Sequence, residues 1–428
     1  MSEQTVWTSD LNLTRRGWRR RDMLRVLAGS ALGASLPWQT ELAAQAGSLR
    51  QQGKSCILLW MQGGPSQLET FDPKQDHANG GETRSIATNV SGIRISENLP
   101  QVAQSMDKIA LLRSMTGKEG SHPRASYQMH TGYIPTASVR YPTLGSNVVY
   151  HLGDMEADLP AFVRIGQGNR GESGGGYLGV KYDPLVVADP SRPPENTTPA
   201  TDERRFRRRL NLVRRLEANG AYEQARADHQ DLLSRSSTMM LSPQMATFDL
   251  EREPQRDRES YGEGAFAQGC LMARRLVEQG VTFVEVNLNG WDTHDDNFSR
   301  CRDLCGQMDQ PFARLVNDLE ERGLLESTLV LCLGEFGRTP RINPRSGRDH
   351  FPRAFSAAIA GCGVRGGQVI GATTADGNEI ADRPIQIPDF FRTVFTTLGV
   401  DPDHENMSGI GRPIPLVTDG EVITELFG

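Results

Sequence analysis

Val284-Glu285-Val286-Asn287-Leu288-Asn289-Gly290-Trp291-Asp292-Thr293-His294 is a short apolar run that empties into a cluster of polar side chains. The β-branched stretch from Val281 to Val286, bounded by Gly280 and Gly290 and preceded by a helical pattern, predicts a buried strand. In open α/β sheets, ligands bind in the crevice outside the carboxyl ends of the strands, so chemistry is expected just after this run. Asp292 and His294 are two residues apart, which in extended backbone sends both side chains to one side. A carboxylate and an imidazole projecting together form a metal-ligand or acid/base pair. Alone, the same pair also describes a solvated turn, and it gains weight only from what joins it.

Three other stretches repeat the design. Ser55 to Met61 (SCILLWM) is apolar on both faces, as in the middle of a parallel sheet, and ends in Gly63-Gly64-Pro65-Ser66-Gln67. Ser66 there is a nucleophile, a metal ligand or a helix cap. Ile109 to Met115 leads to Ser121-His122-Pro123-Arg124-Ala125-Ser126. Pro123 in the first helical position, capped by Ser121 or His122, marks a helix start whose free N–H groups and dipole favour an anion, and Arg124 adds to that attraction. Thr328 to Leu333 (TLVLCL) ends in Gly334-Glu335-Phe336-Gly337-Arg338-Thr339-Pro340. Arg348-Asp349-His350 follows, then a further strand from Ala354 to Ala360.

A parallel sheet puts all such strand ends on one rim. The convergent set is Ser66, His122, Asp292, His294, Glu335, Asp349 and His350. Crowded carboxylates raise one another's pKa unless a cation or a shared proton intervenes. The mixed Asp, Glu and His set suits zinc, manganese or iron rather than an all-oxygen calcium cage. Two ions about 3.5–4 Å apart could clamp both the attacking and departing oxygens of an ester, and one ion fits the ligand count as well.

The rest of the chain frames this rim. Gly80 to Pro100 reads as a surface hairpin, Leu99 to Met106 as a helix, and Gly166 to Glu203 as long irregular loops over one sheet edge. Arg204 to Asn219 predicts a helix with Phe206, Leu210, Val213 and Leu216 as its apolar stripe. Phe298 to Glu321 reads as one long helix, and Pro388 to Leu398 as a closing helix stopped by Gly399. The fold class is therefore α/β: a mostly parallel central sheet sandwiched by helices in three layers. Cys56, Cys332 and Cys362 lie in apolar runs as small hydrophobes, Cys301 and Cys305 share a helix face, and no Cys-x-x-Cys pair occurs. A formal net charge of −6 argues against a general nucleic-acid binder.

Arg20-Arg21-Asp22-Met23-Leu24-Arg25, a weakly apolar run from Val26 to Trp38, and Ala44-Gln45-Ala46 look, in that order, like a twin-arginine export signal. Its apolar part is shorter than the ~20 residues a membrane span needs. The expected organisation is a signal peptide over residues 1–46 and one α/β domain over 47–428, with a loop and helical insertion at about 166–265. The mature protein is therefore expected in the periplasm or outside the cell.

WMQGGPSQLETFDPK, ARRLVEQGVTFVEV, GWDTHDDN, LGEFGRTPRIN and GRDHFP together resemble the phrases of the domain-of-unknown-function 1501 family. More distantly the chain is similar to the alkaline phosphatase and sulfatase superfamily. Ser121-His122-Pro123-Arg124-Ala125 leading to Thr131-Gly132 looks like the sulfatase nucleophile helix, Glu335 falls where a metal-ligand pair stands, and His350 takes the place of the later metal histidine. The departures are Gln62-Gly63 in place of an acidic ligand, no cysteine near Ser121, and no His or Asn beside Glu335.

These observations lead to an expected exported, metal-dependent hydrolase of phosphate or sulfate esters, on a small-molecule or glycan substrate. Asp292, His294, Glu335 and His350 would hold the divalent metal, with Asp349 as a ligand or support. His122 would be a ligand or general acid/base, Ser121 or Ser66 the nucleophile, and Arg124 or Arg338 the anion clamp. The rival expectation, favoured by the missing first-strand acid, is a non-catalytic relative that binds a glycan or cell-envelope component.

Overall fold

A computed structural model describes residues 53–168, 174–195, 197–217, 223–409 and 411–428, so the expected signal peptide lies outside the described residues. Nine strands build the main sheet: β1 (Ser55–Gln62), β2 (Ile109–Thr116), β3 (Phe162–Ile165), β4 (Leu185–Val187), β5 (Phe283–Asn289), β6 (Thr328–Leu333), β7 (Phe355–Ala360), β8 (Gln368–Ile370) and β9 (Ile385–Gln386). Their order is β8-β2-β7-β6-β1-β5-β3-β4, with β9 also on β2. All neighbours are parallel except β7, which runs against both β2 and β6. The four strands expected to end on one rim do so, and the reversed β7 brings its beginning to that same rim.

Seven helices matter here: α1 (His122–Thr131), α2 (Leu144–Leu152), α3 (Glu203–Glu217), α4 (Glu223–Leu241), α5 (Ala265–Glu278), α6 (Asn297–Glu321) and α7 (Ile387–Leu398). Because side chains alternate along a strand, Ile57, Leu59 and Met61 of β1 pack into one core with α5 and α6. Cys56, Leu58 and Trp60 pack into the other, with α1, α2 and α7. The result is three layers with the central strands covered on both faces, which is why β1 and β6 read as continuous apolar runs.

Some local expectations are corrected. The helix expected over Leu99–Met106 is one turn, Pro100–Ala103, before a 3-10 turn at Met106–Lys108. Asp309 of α6 takes the free N–H groups of Gln101 and Val102 at 2.8–3.0 Å. The loops after Gly166 contain β4, a short edge strand. On α3, Phe206, Leu210 and Val213 are half-buried, but Leu216 is 72% exposed. Ten residues past Phe206, a 3.6-residue repeat has turned roughly 80° off the stripe. All six cysteines are free and buried. Among the described residues no helix is long and apolar enough to cross a membrane.

Candidate metal centre

β1 is followed by Gly63, whose φ is +115° and where a Cβ would lie 2.5 Å from the Asp292 backbone nitrogen. Glycine therefore lets this strand end lie against the Trp291–Asp292 backbone that follows β5. The Gly63 N–H points at Glu335, after β6, and reaches its two carboxylate oxygens at 3.1 and 3.2 Å. α1 begins at His122, one residue before its proline. A two-residue antiparallel ribbon pairs Gly337–Arg338 with His350–Phe351 and fixes His350 beside them. His122, Asp292 and His350 each offer a ligand atom, all within 4.8 Å of one another.

The tautomers follow from the partners. His122 Nδ1 lies 2.6 Å from Glu335 Oε1, His294 Nδ1 2.9 Å from Asp349 Oδ1, and His350 Nδ1 2.7 Å from the Gly120 carbonyl oxygen. All three partners only accept hydrogen bonds, so all three Nδ1 atoms carry the proton and donate. In the neutral rings every Nε2 is then a bare lone pair. These lone pairs converge: His122 and His294 Nε2 lie 3.2 Å from Asp292 Oδ1, and His350 Nε2 lies 3.5 Å from it. His294 and His350 Nε2 face each other at 2.9 Å. Three lone pairs and a carboxylate oxygen repel one another unless a proton or a cation sits among them, and a ring whose other nitrogen donates to a carboxylate or carbonyl is the usual arrangement of a metal-binding histidine. The residues present thus fit a divalent cation with nitrogen and oxygen ligands.

Electrostatics agree with the geometry. Burial opposes the charge on Asp292, yet the Arg338 guanidinium at 2.6 Å, with His122 and His294, brings its pKa down to about 2. Burial pulls the His122 imidazole down, but Glu335 and Asp292 outweigh it and raise its pKa above the ordinary histidine value. His350 moves the other way, lowered by burial and by the charges of His122, Arg338 and His294, against the pull of the Gly120 carbonyl. The His294 hydrogen bond holds the Asp349 carboxyl below its usual range.

The remaining candidates divide. Glu335, expected as a metal ligand, stands behind His122 with its oxygens taken by that ring and by Gly63. Arg338, expected as an anion clamp, is wholly buried. Its N–H groups go to the carbonyls of Gly64 (2.9 Å), Arg348 (3.1 Å) and Gly63, and to Asp292, so it acts as a strut. Arg124 is exposed, and its guanidinium is paired with Glu119 at 2.6 Å. Ser121 is exposed at the cap position of α1 and makes no capping bond. Ser66 is wholly buried, and its hydroxyl finds no partner among the described residues. Sequence reasoning missed Asn343, which bonds the His294 carbonyl at 2.9 Å and Asp349 at 3.3 Å. It also missed Phe336, whose ring lies 4.8 Å from that of His122 and 4.7 Å from that of His350. The turn signal Asn343-Pro344 was visible, but its target was not.

The fold and the site define an α/β protein with strand-end histidines and carboxylates gathered into a candidate metal centre. The chain belongs to the family described as protein of unknown function (DUF1501), which it matches over residues 53–427. No curated protein matches it. Among solved structures it is similar to the PsFucS1 sulfatase from Pseudoalteromonas sp., at 13% identity and a TM-score of 0.40 over 84% of this chain and 72% of that one. A phosphonate monoester hydrolase from Silicibacter pomeroyi gives 11%, 0.35, 88% and 77%. A protein of the alkaline phosphatase superfamily from Vibrio parahaemolyticus gives 12%, 0.37, 83% and 74%. Likeness of this degree carries no functional conclusion, which has to come from the site.

Proposed function

We propose that the chain is a metal-dependent hydrolase of phosphate or sulfate esters. One observation carries the reading: three imidazoles, each fixed through Nδ1, aim their Nε2 atoms at one carboxylate oxygen on the rim of an α/β sheet. His122, Asp292 and His350 would hold the cation, with His294 as a further ligand and Glu335, Asp349 and Arg338 as their supports. When bound, a divalent ion supplies Lewis-acid polarisation of an ester oxygen. The chain's own residues then orient and neutralise. Arg338 keeps Asp292 ionised and in place, Glu335 fixes the His122 ring, and the positive end of the α1 dipole favours an anion, although Pro123 has no N–H and the Arg124 N–H goes to the Ser121 carbonyl at 3.0 Å. Of the two candidate hydroxyls Ser121 is the accessible one, so it is the proposed nucleophile. Export by the twin-arginine route belongs to the same proposal, supported by the order of Arg20-Arg21, the apolar run and Ala44-Gln45-Ala46. Retention of an Arg20→Lys/Arg21→Lys variant in the cytoplasm checks it.

The test is calorimetric titration of chelator-stripped protein with zinc, manganese and ferrous iron, alongside turnover of 4-nitrophenyl phosphate and sulfate. About one ion per chain is expected, with hydrolysis only in its presence, and Asp292→Ala should lose both. Less than about a tenth of an ion per chain, with wild type and Asp292→Ala equally inert, would overturn the proposal in favour of a non-catalytic binding protein.

A further inference from the structure

Behind the candidate metal centre, on the sheet face that packs against α1, several polar side chains are buried with no partner among the described residues. α1 presents His122, Ser126 and His130 at i, i+4 and i+8, on one face and about 6 Å apart in rise. His122 stands at the metal centre. His130 packs against Trp60 with ring centroids 4.2 Å apart and the planes tilted by 57°, and its Nε2 lies 3.6 Å from Glu285 Oε1. Ser126 lies between them. Across the sheet Trp60 is in register with Asn287, and Asn287, two residues beyond Glu285, shares its face.

Among the described residues the Ser126 hydroxyl, the Trp60 indole N–H and both ends of the Asn287 amide find no hydrogen-bond partner. Yet Trp60 is 0%, Ser126 2% and Asn287 7% exposed. Buried polar atoms without partners are rare in folded proteins, because each forgoes its hydration for nothing. Ser126 stands one helical turn behind the candidate ligand His122, and Trp60 and Asn287 are neighbours across the sheet. Half-buried Gln62, at the end of the same strand as Trp60, adds another unpaired oxygen on the side of the rim. The charged neighbours are tied to one another: Arg164 lies 2.9 Å and His130 3.6 Å from the same Glu285 carboxylate oxygen. The unpaired atoms themselves are all uncharged, and they suit an uncharged partner. It must accept from the indole, and both donate to and accept from the amide and the hydroxyl. A hydroxyl group does this; a phenyl ring does not.

We propose that Ser126, Asn287 and Trp60 form a subsite that receives an uncharged, hydroxyl-bearing part of the substrate's alcohol, so that esters of polyols are preferred over esters of phenols. The identity of the alcohol as substrate rests on the hydrolase reading, but binding to the subsite does not.

The experiment uses the full chain as wild type, Asn287→Leu and Ser126→Ala. Saturation-transfer NMR measures free glycerol and myo-inositol binding to metal-free protein, which needs neither cation nor turnover. Wild type should show saturable transfer, weakened about fivefold or more in each variant. Asn287→Leu should melt no lower than wild type, because it removes an amide that the empty fold leaves unpaired. In metal-loaded protein, cation affinity should be unchanged, while kcat/KM for glycerol 1-phosphate should fall about fivefold or more relative to 4-nitrophenyl phosphate. No saturable transfer in wild type, or equal transfer in Asn287→Leu, overturns the subsite. A lowered melting temperature with unchanged transfer also overturns it, by assigning the amide to the fold alone. Polyol binding without any hydrolysis would sink the hydrolase reading and leave the subsite standing.

Discussion

Arg348→Met should destabilise the protein by about 3–5 kcal/mol, the cost of stripping one partner from a buried ion pair. Arg348 and Glu69 both have 0% side-chain exposure, with Nη2 2.8 Å from Oε1. Nε reaches both carboxylate oxygens, at 3.2 and 3.0 Å. The other N–H groups of Arg348 donate to the carbonyls of Thr339 (3.0 Å), Asn79 (2.7 Å) and Pro340. Methionine fills much of the volume but leaves a buried carboxylate without its counter-charge and three carbonyls without their donor. Unfolding entropy of roughly 2.1 cal/mol/K per residue, over the ~380 residues of Leu49–Gly428, is about 0.8 kcal/mol/K. The melting temperature should therefore fall by about 4–6 °C. Urea unfolding followed by the fluorescence of buried Trp60 and Trp291 measures the free energy. Arg348 also ties down the loop that delivers Asp349 and His350, so cation affinity should weaken in the folded variant. Adding Glu69→Gln removes the charge together with its partner, and the double variant should recover about half of the loss. A cost below about 1 kcal/mol, or single costs that simply add, would refute the view that this pair is an interior charge held only by its partner.

Gly63→Ala should lose at least about 1–3 kcal/mol and weaken cation binding, because its Cβ needs a φ of +115° and would meet the Asp292 backbone at 2.5 Å; chemical denaturation and metal titration check both, and a wild-type result in both would deny that this close approach shapes the site. Glu335→Gln keeps an acceptor for the Gly63 N–H but not the charge that orients His122, so zinc affinity should drop about 10–100-fold with little change in stability. An unchanged affinity would mean that the carboxylate does not govern that ring. Burial opposes ionisation of Glu285, but Arg164 and His130 hold its pKa down to about 2. Since the folded pKa lies below that of the unfolded chain, its contribution is complete above about pH 4.5, erodes on acidification and is gone below about pH 2. The urea midpoint of wild type should therefore fall more steeply between pH 5 and 2.5 than that of Glu285→Gln, and parallel profiles would count against the buried charge.

The sheet was legible because its central strands are largely apolar and are followed at once by glycine, so β1, β2, β5 and β6 could be placed within a residue or three of where they lie. The direction of β7 was not, since an apolar hexapeptide carries no mark of parallel or antiparallel pairing. Its reversal explains why Asp349 and His350 precede their strand while Asp292 and Glu335 follow theirs. Which residues reach the rim is thus a local property of the sequence. What each does there is not. His294 is oriented from 55 residues away by Asp349, His122 from 213 by Glu335, and Glu335 from 272 by the Gly63 N–H. Arg338 between Gly337 and Thr339 looks like an anion clamp until two carbonyls from Gly63 and Gly64 close over it. Likewise a carboxylate at a strand end reads as a ligand, and only its partners separate Asp292, whose oxygen meets the bare ring nitrogens, from Glu335, which holds a ring from behind. Glu335, Asp349 and the Gly120 carbonyl take the Nδ1 atoms at 2.6–2.9 Å, and the Nε2 atoms are left facing Asp292 at 3.2–3.5 Å. The division of the cluster into ligands and supports is therefore written in Nδ1 contacts, made across distances in the chain that no motif spans.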